Sequence, residues 1–263
     1  EAVINRIKSN GEPGFYIIGN ARKYDELIEG TNPSLRAGTK ILTSKGIFEI
    51  QELENKDIEV SNFLGNLSPA NCFLSGKSKP LYCIELNNGI KYYCTAEHKW
   101  AILSKEGINK LPTVDLMSGQ YLPVTKIDKL FNNNNGSYNE GFFIGYLLGD
   151  GWLTIRLDNG KKQIGFCIGK NKEEAETRLN DVFTTYKTDC NFKMRSNGTK
   201  EVHVSNKTII KFIEKYQVQN KDLGLPLSVW NNTSEEFRKG LIDGLFSSDG
   251  YIELTNHGGR IGL

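Results

Sequence analysis

The sequence predicts an α+β, multi-domain protein: an all-β unit followed by an αββαββα unit whose second copy is truncated. Three observations predict it. From residue 39 to about 124, short β-type runs alternate with turn residues, whereas beyond residue 140 the apolar spacing becomes helical. Between them, Phe131-Asn132-Asn133-Asn134-Asn135-Gly136-Ser137-Tyr138-Asn139 has almost nothing to bury and reads as a linker over 131–140. Lastly, Phe143-Ile144-Gly145-Tyr146-Leu147-Leu148-Gly149-Asp150-Gly151 and Ile242-Asp243-Gly244-Leu245-Phe246-Ser247-Ser248-Asp249-Gly250 both read as an apolar helix closing on Asp-Gly. Gly145 and Gly244, Gly149 and Ser248, and Asp150 and Asp249 are each 99 positions apart (244−145, 248−149, 249−150).

Composition bounds the function. At 263 residues the chain accommodates two domains, and 38% hydrophobic with 24% charged residues fits a soluble globular protein. A net charge of +2 is too small to argue for nucleic acid, so any DNA surface needs an uneven charge distribution. The five cysteines (Cys72, Cys83, Cys94, Cys167, Cys190) lack C-x-x-C spacing, which argues against a disulfide framework or a zinc site and for a reducing, cytoplasmic setting. No apolar run is long enough for a membrane span, and no signal peptide is visible.

The elements follow in order. Residues 1–9 read as the end of an amphipathic helix, broken by Asn10-Gly11-Glu12-Pro13-Gly14 and followed by a strand over 15–18. Strands are expected over 40–43, 46–50, 81–86 and 90–94, the last two joined by Asn87-Asn88-Gly89. After the linker come a helix over 141–150, a hairpin of 152–156 with 163–168, a helix over 172–186, a hairpin of 192–195 with 201–204, and a helix over 208–216. The pattern restarts at 234–249, and the chain is expected to stop just after the first strand of the second copy.

Ser34-Leu35-Arg36-Ala37-Gly38-Thr39, followed by Thr95-x-x-His98, resembles the two opening blocks of an intein, and this resemblance spans about residues 34–125. It implies a Hint-type splicing fold over 34–130 and an acyl shift at Pro33–Ser34 that initiates protein splicing. The chemistry suits these residue types. A β-hydroxyl or thiol must attack the preceding carbonyl, a histidine near neutral pKa can protonate the leaving nitrogen, and Thr95 with nearby N–H groups can hold the oxyanion. The family usually begins with Cys. Serine is a poorer nucleophile and forms an ester, and two readings stand: a natural serine intein or a Cys→Ser change that freezes the precursor.

Upstream, Gly11-Glu12-Pro13-Gly14, Asn20-Ala21-Arg22-Lys23-Tyr24 and Gly30-Thr31-Asn32-Pro33 resemble a ribonucleotide reductase large subunit approaching its Asn-Pro-Cys loop. The resemblance implies that residues 1–33 are host sequence.

The repeated helix resembles the paired LAGLIDADG motifs of homing endonucleases over 141–263. Small residues four apart let two helices pack closely. The resemblance implies Asp150 and Asp249 as catalytic carboxylates binding Mg²⁺, with Lys221 as an active-site cation. It also implies β-ribbons in the major groove of double-stranded DNA, the intein-less reductase gene. Arg156, Lys161, Lys162, Lys170, Lys193 and Arg195 are the candidate DNA contacts, although surface lysines on hairpins are usually only solvated. The intein's terminal His-Asn is not in the sequence, so splicing is expected to need a C-terminal fragment, as in a split intein. Two alternatives remain: a free-standing LAGLIDADG endonuclease with an unrelated β unit, and a DNA-binding protein without nuclease activity.

Overall fold

The computed structural model describes residues 35–62, 65–124, 131–155, 159–218, 221, 224–255 and 258–262. The chain divides into two units between residues 130 and 131.

The first unit is built of short antiparallel strands. β1 (Lys40–Thr43), β2 (Gly46–Glu49), β3 (Asp57–Ser61) and β4 (Leu67–Asn71) form a sheet in the order β2-β1-β3-β4. β5 (Tyr82–Glu85) pairs with β6 (Lys91–Cys94), and β7 (Lys99–Ser104) with β8 (Gly107–Pro112). Turn chemistry sets these hairpins. Gly89, at φ +82°, closes β5–β6 where an L side chain would be strained, and Leu86 N–H donates to the Ile90 carbonyl at 2.9 Å. Leu35 forms an isolated antiparallel bridge with Cys94. Among the described residues of this unit, only Leu53, Cys94 and Ile102 are buried hydrophobics. Phe73, Leu74, Leu81, Tyr82 and Tyr121 stand exposed.

The second unit is organised around one central helix. Its elements are α1 (Tyr138–Leu148), β9 (Gly151–Ile155), β10 (Lys162–Ile168), α2 (Glu173–Thr185), β11 (Lys193–Met194), β12 (Lys200–Val204) and α3 (Lys207–Lys215). Then come α4 (Leu227–Asn231), α5 (Glu235–Asp249), β13 (Tyr251–Thr255) and β14 (Gly258–Gly262). The sheet order is β11-β12-β10-β9. α1 starts where Ser137 Oγ accepts from the Glu140 N–H and the Glu140 carboxylate accepts from the Ser137 N–H, a reciprocal cap. α5 starts on Ser234, whose Oγ accepts from the Phe237 N–H at 2.9 Å.

α1 is apolar all round because it is covered all round. Phe142, Phe143, Ile144, Tyr146 and Leu147 are at most 3% exposed. Phe143 meets Phe166, Phe183 and Phe212 edge-on at centroid distances of 5.0, 5.3 and 5.5 Å. Each such pair adds about 0.5–1.5 kcal/mol beyond area burial. The inner sheet face supplies Ile164, Phe166, Ile168, Val202 and Val204 to the same core.

Several features differ from the sequence expectations. The 131–140 stretch is stitched to this unit instead of hanging free. Phe131 is buried, and Arg238, 3% exposed, lies over its ring at 4.5 Å. Arg238 Nη2 donates to the Phe131 carbonyl and Nη1 to the Thr233 carbonyl, both at 2.6 Å. Asn133 Nδ2 donates to the Asn231 carbonyl, and the Ser234 N–H to that of Asn135. Asparagines with little apolar surface are held by hydrogen bonds to otherwise unpaired backbone. The second copy also contributes a full strand pair: β13 and β14 pair in register over five positions, so the chain does not stop after one strand. α4, a single turn beginning after Pro226, was not anticipated.

Candidate functional site

In the second unit the site grows out of a glycine seam. A Cβ on Gly141 or Gly145 of α1 would strike the carbonyl oxygens of Phe237 or Leu241. On Gly240 or Gly244 of α5 it would strike those of Tyr138 or Phe142. Backbone therefore lies on backbone along the α1–α5 contact, and both helices end together. The 99-residue spacing extends to Gly141 and Gly240 (240−141), beyond the pairs singled out from the sequence.

At the end of the seam a Cβ on Gly149 would fall on Ser248 Oγ, with Asp249 Oδ1 3.0 Å away. Asp150 is the next residue. Burial raises its carboxyl above the ordinary value, and Asp249 raises it further, while Lys172 and Lys221 pull it down. Lys172 Nζ lies 3.6 Å from Asp150 Oδ2 and donates to the Ser248 carbonyl at 3.0 Å. Lys221 Nζ donates to the Gly149 carbonyl at 2.9 Å. Each lysine thus takes the carbonyl just before one of the two aspartates. Lys172 was missed in the sequence, where it reads only as the start of α2. Burial, then Asp150, Cys167 and Asp249, push the Tyr146 phenol up, so it stays protonated beneath this cluster.

The donor set is one of hard oxygens: two carboxylates and the Gly149 and Ser248 carbonyls. That suits an oxygen-seeking divalent cation such as Mg²⁺. Among the described residues no cluster of three or more His, Cys, Asp or Glu side chains could hold a metal.

On the outer sheet face, Trp152 and His203 both lie opposite Gly165 in register, and their rings meet edge-on at 5.2 Å. A Cβ on Gly165 would enter the Trp152 ring, and one on Gly262 would enter the ring of its partner Tyr251. The same aromatic-over-glycine pairing recurs at 152 and 251, again 99 apart (251−152). The described candidate DNA contacts do not share one face, since Lys162 follows the register of the inward-facing Ile164 and Phe166. Lys161, Lys170 and Lys193 are exposed. Lys162 pairs with Glu214, and Arg195 with Glu201, so neither is an uncommitted cation. Arg156 lies outside the described residues.

In the first unit, Thr95 and His98 occupy one turn, with the His98 N–H donating to the Thr95 carbonyl at 3.2 Å. Both are buried, at 2% and 9% exposure. Thr95 Oγ1 has no hydrogen-bond partner among the described residues. The His98 ring stacks edge-on against Trp100 at 5.2 Å. The turn follows Cys94, which is bridged to Leu35, and the Arg36 N–H donates to the Tyr93 carbonyl at 2.9 Å. Ser34, Pro33 and the segment before them lie outside the described residues.

No family model matches the chain. It is 30% identical over 196 residues to the ribonucleoside-diphosphate reductase large subunit of Invertebrate iridescent virus 6, covering 66% of this chain and 20% of that protein. It is also 26% identical over 227 residues to the ATP-dependent DNA helicase Hel308 of Methanocaldococcus jannaschii, covering 84% of this chain and 18% of that protein. The chain thus spans about a fifth of the length of these curated relatives. A solved structure of mesophilic variants of the homing endonuclease I-DmoI is similar at a TM-score of 0.31 and 14% identity, over 43% of this chain and 58% of that one. Among the described residues no helix is long and apolar enough to cross a membrane.

Proposed function

We propose that the chain is part of an inserted genetic element, a splicing unit carrying a DNA endonuclease unit, within a ribonucleotide reductase. The convergence of Asp150 and Asp249 at one end of a glycine-packed helix pair carries the endonuclease reading. Packing alone needs the glycines and does not need a carboxylate at each helix end. The matches to the reductase and to the helicase support the insertion. Shares of 66% and 84% of one chain must overlap over at least half of it. A segment common to two enzymes of different activity, and a small part of each, is separable from both activities.

In this reading Asp150 and Asp249 hold Mg²⁺ at the end of the seam. Held there by the two carboxylates, Mg²⁺ would supply Lewis acidity for activating a water and for stabilising a leaving 3′-oxygen. Lys172 and Lys221 balance the carboxylates and approach the phosphate. The outer sheet face, with Lys161, Lys170 and Lys193, lies along the duplex. Incubating the chain and Mg²⁺ with DNA carrying the uninterrupted reductase gene is expected to give site-specific nicks or breaks. Asp150→Asn and Asp249→Asn should each abolish cleavage and leave binding in a gel-shift assay. Cleavage surviving both substitutions would refute the assignment of the carboxylates. Intact DNA with retained binding would favour a DNA-binding protein without nuclease activity.

A second reading, an acyl shift at Pro33–Ser34, is favoured by the Thr95 hydroxyl, unpaired among the described residues, and by the Leu35–Cys94 bridge. That bridge joins the residue that follows position 34 in sequence to the residue that precedes Thr95. Ser34 Oγ attacks the Pro33 carbonyl carbon and loses its proton to solvent. The C–N bond to Ser34 breaks, and the leaving nitrogen takes a proton from His98. The Thr95 hydroxyl donates to the developing oxyanion. Hydroxylamine should cleave the chain between residues 33 and 34, and a chain that stays whole counts against this reading. Ser34→Cys should speed that cleavage.

A further inference from the structure

We propose that Thr113 is a positioning residue for the acyl shift, fixing the Thr95–His98 turn that carries the proposed proton donor and oxyanion donor; this rests on the splicing reading above. Thr113 follows β8 and is 4% exposed. Its hydroxyl sits between three groups. Trp100 Nε1 donates to it at 3.1 Å, Cys94 Sγ lies 3.2 Å away, and it donates to the His98 carbonyl at 3.1 Å. The Thr113 N–H donates to that same carbonyl at 2.9 Å, and the Val114 N–H to the Ala96 carbonyl at 3.3 Å. If the Cys94 thiol donates, the hydroxyl accepts two bonds and gives one, its full complement.

These contacts grip both ends of the turn. Cys94 is the residue before Thr95, and His98 ends the turn. Trp100, the indole that donates to Thr113, also stands edge-on to the His98 ring and, at 5.7 Å, to Tyr92. Removing the hydroxyl leaves the indole N–H without an acceptor and releases the His98 carbonyl from one of its two donors. The imidazole and the Thr95 hydroxyl then lose their fixed relation to each other. A displacement of about 1 Å at a catalytic group can cost on the order of 100-fold in rate. Thr113 need not touch the reacting atoms to matter.

The test uses the 263-residue chain, following hydroxylamine cleavage at 33–34 by mass spectrometry across pH, with the His98 ring followed by NMR. Thr113→Val, close to Thr in shape, is expected to slow cleavage by about 10- to 100-fold and shift the His98 ring resonances. Thr113→Ser, which keeps the hydroxyl, should restore both the rate and the resonances. Trp100→Phe, which deletes one donor to Thr113, should slow cleavage less. If Thr113→Val does not fold, the Ser and Phe variants decide the matter. Serine as slow as valine, or Trp100→Phe as fast as the parent, overturns the proposal. So does Thr113→Val cleaving at the parental rate with unchanged His98 resonances. A parent chain that hydroxylamine never cleaves defeats the acyl-shift reading itself, and this assignment falls with it.

Discussion

The two units hold their candidate sites by different means. In the second, a continuous apolar core surrounds α1, and the aspartates are placed by backbone contact between two helices. In the first, described buried hydrophobics are few, and Thr95 and His98 are placed by a hydrogen-bonded turn clamped by Thr113. One site depends on the absence of atoms, the other on the presence of polar ones. Steric placement is all-or-none, because a carbonyl oxygen and a methyl group cannot share a position. Polar placement degrades one bond at a time.

The largest effect expected from this contrast is at the seam. Gly145→Ala puts a methyl group on the Leu241 carbonyl, so α1 and α5 must separate. The cost is about 3 kcal/mol or more, since overpacking forces backbone shifts. The carboxylates should part with the helices, so the proposed DNA cleavage is lost along with stability. Gly89→Ala is the control in the other unit. It meets nothing within 4 Å and only strains a residue at φ +82°, a penalty of about 1–2 kcal/mol. Urea unfolding of both variants tests the ordering, and equal losses would break the comparison.

Part of this was legible in the residues alone. The 99-residue offset announced the paired helices because both copies lie in one chain and repeat the same small residues. The helices α2 and α3 showed themselves through apolar spacing, and the hairpins through Asn-Gly turns. Other parts were not legible, for physical reasons. Lys172 reaches Ser248 across 76 positions, and no local period marks such a contact. Thr113 meets His98 at the open end of the β7–β8 hairpin and Cys94 at the end of β6, and looks, in sequence, like any threonine after a strand. β14 opens on Gly258-Gly259, residues depleted in strands, so its pairing with β13 had no propensity behind it. The Asn-rich stretch read as free because its ties to Asn231, Ser234 and Arg238 lie about a hundred residues away.

That stretch supplies the next test. At Arg238 the second unit uses the first unit's device, a buried polar clamp. Arg238→Met keeps the length and the contact with Phe131 and Trp230 but removes the donors to the Phe131 and Thr233 carbonyls. Leaving buried carbonyls unpaired costs about 1–3 kcal/mol, less than the glycine substitution. Proteolysis near residue 131 should accelerate in the variant, while the proposed DNA cleavage by the folded fraction is kept. An unchanged proteolysis rate would mean that the asparagine bonds alone hold the stretch.

The smallest effect is expected at the carboxylate itself, and its sign is informative. Burial raises the Asp150 carboxyl above its ordinary value of 3.8, with Asp249 adding to the rise and Lys172 and Lys221 opposing it. Between the unfolded and folded values the folded chain keeps a proton that the unfolded chain has released. Stability from this group is therefore present at low pH and lost as pH rises through that window. Asp150→Asn cannot ionise, so at neutral pH it should melt slightly above the parent. The gap should close as pH falls below the unfolded value, where both side chains are neutral. The gain is small because the lysines already offset much of the burial and the group is about a third exposed. A carboxylate that weakens the fold at working pH is better explained by what it binds than by what it packs against. If Asp150→Asn instead melts below the parent at neutral pH, the lysine contacts outweigh burial, and the charge serves the helix ends as structure.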